Sequence, residues 1–192
     1  MGRVVVSENI SLDGVMQDPT GEGGLQFGGW WTQIGDRDRE ARATVTLDEV
    51  RAATAWLLGR RTYEFFAARW PSRSGELADR FNAGPKYIVS STLEHPRWNN
   101  STVLKGDVVA EVSKLKQSLG GDTIVLGSRQ LVHSLVEHDL VDELRILLHP
   151  YVLGAGDRLF EETQEKRTLR LVSSRTVGDN LALLSYQFVR KD

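Results

Sequence analysis

Between residues 55 and 148 short apolar segments alternate with amphipathic ones, and this alternation restricts the fold more than any other feature of the chain. Residues 55–58, 86–91 (KYIVSS), 101–104, 122–126 (DTIVL) and 142–148 (DELRILL) have the length and β-branched content of strands. Helical patterns separate them: 62–69, 74–82 ended by Gly84-Pro85, and 107–119, where Asp107 caps and Gly120-Gly121 stops the helix. A further helix opens at Gly127-Ser128 and buries Leu131, Val132, Leu135 and Val136. Strands joined through helices return in parallel by right-handed crossovers. Residues 3–11 add a strand at the start, and 169–176 with 181–189, joined by VGDN, add an antiparallel hairpin at the end. The expectation is a three-layer α/β fold: a mixed, mostly parallel sheet, helices on both faces, and a C-terminal antiparallel hairpin. Thr46 and Glu49 fit a capping box that starts a helix over 47–54.

A chain of 192 residues suits one domain spanning 1–192. Its net charge of -2, with acidic residues interleaved among the arginines, gives no pull towards nucleic acid or an anionic membrane. There is no cysteine, hence no thiolate nucleophile or thiolate metal site. The polar start MGRVVVSENISLDG is unlike a signal peptide, and no apolar run approaches a membrane span, so a cytoplasmic protein is expected. His95, His133, His138 and His149 are scattered, and no metal centre is expected. Patterns for the Rossmann fingerprint, the Walker phosphate loop, the nucleophile elbow and the zincin helix are absent.

Two regions carry chemistry. After the first strand, Asp13-Gly14 opens a segment with five glycines between Gly21 and Gly29, ending at Phe27, Trp30 and Trp31. Such a loop suits a lid over a small-molecule substrate, with Trp30 and Trp31 against it, or a segment pinned by core tryptophans. The other region is the set of strand ends, where ligands of parallel sheets sit. Gly59, Arg60, Arg61 and Thr62 form one corner, Ser90, Ser91 and Thr92 a second, and Gly127, Ser128, Arg129, Gln130 and Leu131 a third. Helix N-terminal amides and arginine forks suit phosphate, while serine and threonine are also ordinary helix caps. A ligand with separated phosphates, such as NADP, would account for all three corners.

The order S-L-D-G, L-G-R-R-T-Y-E, I-V-S-S-T, I-V-L-G-S-R-Q-L, L-V-D-E-L-R-I and H-P-Y-V-L-G-A-G-D-R-L-F resembles the dihydrofolate-reductase-like superfamily. Within it the chain is most similar to the reductase domain of the bifunctional riboflavin-biosynthesis deaminase-reductase, from Val4 to Phe188. The resemblance implies a dihydrofolate-reductase-like fold and NADPH as cofactor, with Arg60, Arg61 and Thr62 on its phosphates, Ser90, Ser91 and Thr92 at the 2′-phosphate end, and 127–131 around the pyrophosphate. Asp13 matches an acidic position near the substrate, suited to orienting an amine or hydroxyl or relaying a proton; Asp-Gly is also a common turn pair. Two departures stand out: Leu126-Gly127-Ser128 replaces an acidic residue and a double glycine, and the zinc deaminase part is absent. The expected function is reduction of a small heteroaromatic, imine or carbonyl compound by NADPH, or else dinucleotide or pterin binding without turnover. Apolar residues on both faces of LALLSYQFV suit a partner as well as a core, and the resemblance implies a homodimer.

Overall fold

The computed structural model describes residues 1–160 and 165–189. Eight strands among them, β1 (Arg3–Ser11), β2 (Ala53–Gly59), β3 (Lys86–Val89), β4 (Ser101–Leu104), β5 (Asp122–Leu126), β6 (Glu143–His149), β7 (Leu169–Val177) and β8 (Leu181–Phe188), form one sheet in the order β4-β3-β2-β5-β1-β6-β8-β7. The helices are α1 (Asp36–Ala52), α2 (Arg60–Ala67), α3 (Glu76–Ala83), α4 (Val108–Ser118) and α5 (Arg129–Glu137). By contact the chain divides into two compact units, Met1–Val6 with Leu47–Asp142, and Ser7–Thr46 with Glu143–Asp192.

In the first unit β2 pairs in parallel with β3 and β5, and β3 with β4. Residues 55–58 of β2 are all buried, as expected of an apolar strand covered on both faces. Trp56, Leu58, Tyr63, Phe81, Ile88 and Trp98 build the core around it. Gly84 ends α3 against the Trp56 ring, where a Cβ would lie 1.9 Å from a ring carbon. Lys86 is fully buried, and its ammonium donates to the carbonyls of Phe81 (2.5 Å), Asn82 (3.1 Å) and Gly84 (2.8 Å). These are carbonyls at and just beyond the end of α3, so the side chain closes the helix C-terminus from inside the core. Burial pushes its pKa down to about 8. Asp107 caps α4 as its sequence suggests, accepting from the Ala110 amide at 2.9 Å.

The capping box at Thr46 is not formed. Helix α1 begins at Asp36, and Thr46 lies inside it with its hydroxyl donating to the Arg42 carbonyl at 3.1 Å. The physical signal for the true start is the acidic first turn, Asp36 and Asp38 at the positive end of the helix dipole.

In the second unit β8 pairs antiparallel with β6 and β7, and Ile34, Val45, Leu147, Val177 and Leu181 form a core. Asp38, 2% exposed, reaches from α1 to the β7–β8 turn and accepts from the amides of Asp179 (2.5 Å) and Asn180 (3.0 Å) and from the Asn180 side chain (2.8 Å). No helix among the described residues is long and apolar enough to cross a membrane.

The Asn180 side chain, then the Asn180 and Asp179 amides, lower the Asp38 pKa against the opposing effect of burial. A depressed carboxylate stabilises the fold above its unfolded value of about 4, and the contribution is lost as pH falls through the lower folded value. Asp38→Ala should therefore cost roughly 2 kcal/mol at neutral pH. In urea unfolding, the gap between variant and wild type should shrink at low pH; an equal gap at neutral and acid pH would argue against the carboxylate.

Candidate functional site

The first unit gathers its chemistry where the parallel strands finish. The register aligns Gly59 with Val89 and Val89 with Leu104, so the residues that follow these strands emerge at one edge. Gly59 stands at the N-cap of α2, and Arg60, Arg61 and Thr62 make its first turn; no side chain caps the helix. Ser128 stands at the N-cap of α5, which also has no side-chain cap. The two starts are joined: the Gly59 amide donates to the Ser128 hydroxyl at 2.8 Å. Gly127, at φ 56°, has its Cα against Thr62, whose hydroxyl would sit 2.9 Å from a Cβ there. A side chain at Gly127 would collide with the Thr62 side chain and adopt a left-handed backbone, which together favour glycine at this corner.

The side chains of this edge divide by role. Arg61 is exposed and forms no ion pair among the described residues, whereas the exposed Arg60 lies 3.2 Å from Glu64 one turn on. Ser90 is buried, and its hydroxyl accepts from the amides of Thr92 (3.2 Å) and Leu93 (3.0 Å), so it shapes the turn; Ser91 and Thr92 are exposed. Leu131 is a core residue, and Gln130 is exposed. Lys105, which the sequence reading passes over, directly follows β4 and is exposed at the same edge. Its signal was available in retrospect, as a cation at the carboxyl end of a parallel strand.

The second unit holds Asp13 and the tryptophans. The Asp13 carboxylate accepts from the Ser11 hydroxyl (2.6 Å) and the amides of Leu153 (3.1 Å) and Gly154 (2.8 Å). Arg158 donates to the Asp13 carbonyl at 2.9 Å and lies 3.7 Å from its carboxylate. The Ser11 hydrogen bond, with help from the two amides, outweighs burial and brings the pKa down to about 2. Asp13 is thus a carboxylate at neutral pH, held in place by these donors.

Trp30 is 1% exposed, packs with Val15 and Leu153, and donates its indole N–H to the Gln17 carbonyl at 3.0 Å. That is a core position, with no ring face left for stacking on a substrate. Trp31 is partly buried; its indole N–H donates to Asn9 Oδ1 at 3.2 Å, and the Arg42 guanidinium covers its ring at 4.0 Å. The glycine-rich segment is held by Asp18, which accepts from the amides of Gly23 (2.7 Å) and Leu25 (3.0 Å). Residues 12–35 therefore match the pinned alternative at Trp30, while Phe27 is half exposed.

His149, at the end of β6, is fully buried with its ring edge-on to Trp30, centroids 5.1 Å apart. Asn9 Oδ1 accepts the Trp31 N–H at 3.2 Å and lies 3.0 Å from His149 Nε2, so Nε2 carries the proton, and Nδ1 has no partner among the described residues. Burial first, and Arg42 second, push its pKa down to about 4, leaving a neutral imidazole. No group of three or more metal-ligating side chains occurs among the described residues.

These features can be set beside known proteins. The sequence model of the RibD C-terminal domain matches residues 3–183. The chain belongs to the RibD C-terminal domain family. The uncharacterized protein YyaP of Bacillus subtilis is 25% identical over 191 residues, covering 97% of this chain and 95% of YyaP. A putative riboflavin biosynthesis protein from Shewanella has the same fold, with TM-score 0.77 at 20% identity over 98% of this chain and 99% of that one. A dihydrofolate reductase from Enterococcus faecalis, in complex with NADP(H) and RAB-propyl, superposes with TM-score 0.65 at 15% identity over 97% and 96% of the two chains. The dihydrofolate-reductase-like fold expected from the sequence is therefore present, and the chain is a reductase-type domain of the RibD C-terminal family.

Within that family assignment, Asp13 serves as a clamp between S-L-D-G and L-G-A-G-D-R, two motifs some 140 residues apart whose link the sequence alone does not show. The Asp13 carboxyl carbon should titrate by 13C NMR with a midpoint of about 2. A midpoint at the ordinary value of about 4 would mean that the three donors do not act on it together.

Proposed function

We propose that this protein is an NADPH-dependent reductase that transfers hydride to a small heteroaromatic, imine or carbonyl substrate of the pterin or riboflavin-precursor class. The observation that carries the reading is the pair of helix starts, α2 and α5, left without side-chain caps and tied together through Gly59 and Ser128. Two sets of first-turn amides with Arg60 and Arg61 beside them suit linked phosphates, and Gly59 and Gly127 let the two helix starts pack closely together through Ser128 and Thr62. The exposed hydroxyls of Ser91 and Thr92, with Arg61, suit the 2′-phosphate that separates NADPH from NADH. Gln130 and the backbone of 129–131 would serve the pyrophosphate.

NADPH supplies the hydride, and the protein binds and orients. Asp13, ionised at working pH, would hold a substrate N–H or O–H rather than give up a proton, so the proton that accompanies reduction of a C=N or C=O bond comes from solvent. Trp31, its ring braced by Arg42, is the tryptophan suited to border a flat substrate. One observation favours a second reading, a dinucleotide- or pterin-binding module without turnover: the Asp13 carboxylate already has donors from Ser11, Leu153 and Gly154.

Titration with NADPH and NADH, followed by tryptophan quenching and nicotinamide emission, tests the proposal. NADPH should bind more tightly, and Arg61→Ala should weaken NADPH by about 10- to 100-fold, the range for hydrogen bonds to charged groups, while changing NADH little. Failure of both nucleotides to bind would end the reductase reading. NADPH binding without oxidation across a panel of pterin and pyrimidine substrates would favour the binding module.

A further inference from the structure

Arg42 stands within α1, half-buried, and has no carboxylate partner among the described residues. Its guanidinium donates to the Trp31 carbonyl and lies over the Trp31 ring, 4.0 Å from the centroid. Those contacts use one N–H and one face, whereas a guanidinium has five N–H donors. The acids that an arginine here would ordinarily meet are engaged elsewhere. Asp38, one turn earlier on the same helix, gives its carboxylate to the Asp179 and Asn180 amides and the Asn180 side chain. Asp36 pairs with Arg39 at 2.9 Å. His149, on which the Arg42 charge acts, is neutral. Burial first, and the like charge of Arg39 second, bring the Arg42 pKa down to about 10. A guanidinium withdrawn from water is costly without an anion beside it. The balancing charge is missing from the protein, and half the side chain is open to a ligand that brings it.

We infer that Arg42 is a substrate-recognition residue and that the flat substrate bordered by Trp31 carries a carboxylate on its ring. The inference rests on the reductase reading above and narrows its substrate class to heteroaromatic carboxylates. One positive charge balances a monoanion and leaves a phosphate dianion under-compensated. A carboxylate is planar and takes two parallel N–H bonds from the guanidinium fork. Because the same guanidinium lies on Trp31, the anion it grips sits beside whatever Trp31 borders, which puts the carboxylate on the ring rather than at the end of a long tail. Asn9 accepts the Trp31 indole N–H at 3.2 Å, so the tryptophan and its arginine present a fixed surface.

The test is calorimetric titration of the nucleotide-free protein with pterin-6-carboxylate and with 6-hydroxymethylpterin, two flat rings of one kind that differ in the anion. Wild type should bind the carboxylate about 10-fold more tightly, the effect expected of hydrogen bonds to a charged group. Arg42→Met keeps the apolar stem without the charge and should bind both compounds alike. Arg42→Lys keeps the charge without the fork and should retain part of the preference. An arginine that serves only to brace Trp31 would weaken both compounds equally in Arg42→Met and leave their ratio at the wild-type value. That unchanged ratio, equal affinities in wild type, or binding of neither compound overturns the inference. The titration contains no nucleotide, so none of these results touches NADPH binding. Failure of NADPH to bind would remove the reductase reading and leave the carboxylate preference standing.

Discussion

Parallel pairing makes strands finish at a common edge, and the chemistry of the first unit depends on that constraint. Gly59, Ser90 and Gly127 are far apart in sequence but close a neighbouring set of strands, because β3 and β5 both pair in parallel with β2. Each strand end is followed by a helix start or a tight turn, so backbone N–H groups collect there without any special motif. The two glycines admit close packing, at Gly59 against Ser128 and at Gly127 against Thr62. Arg60 and Arg61 occupy the first turn of the helix that starts at this edge.

The second unit solves a different problem. A long glycine-rich segment is entropically expensive to order, and carboxylates that accept from backbone amides organise it and other turns of this unit. Asp18 gathers Gly23 and Leu25, Asp13 gathers Leu153 and Gly154, and Asp38 gathers Asp179 and Asn180. A carboxylate offers several acceptor sites at one point, so each can stand in for a short piece of ladder where no strand is available. Val15 and Arg158 add an isolated antiparallel bridge beside the Asp13 clamp.

Much of this was legible in the sequence, for identifiable reasons. The apolar run of β5 and the glycine, serine and arginine at the strand ends declare themselves locally, and so does the VGDN turn. Helix α1 does not: DRDREARATV is charged throughout, and the i, i+3 spacing of Thr46 and Glu49 imitates a cap that the preceding turns of helix make unnecessary. Trp30 was ambiguous because its neighbours Phe27 and Trp31 differ from it in exposure, and burial is settled by partners distant in sequence. The same distance hides the Leu153 and Gly154 amides that, with the neighbouring Ser11 hydroxyl, lower the Asp13 pKa. The left-handed backbone of Ser128 is invisible because serine gives no composition signal for that conformation.

The central position of β1 bears on how the chain reaches its fold. Val4, Val5 and Val6 are completely buried, and β1 lies between β5 and β6 in the sheet. Arg3 pairs with Asp122 at 2.8 Å, and the Val4 amide donates to Asp142 at the same distance. Strand β1 is therefore flanked in the sheet by strands more than a hundred residues downstream. Loop closure of that length slows folding, and a nascent chain carries a valine-rich strand without its sheet neighbours until those later segments are made. Cellular yield of this protein would then depend on holding that segment apart from other strands until β5 and β6 emerge.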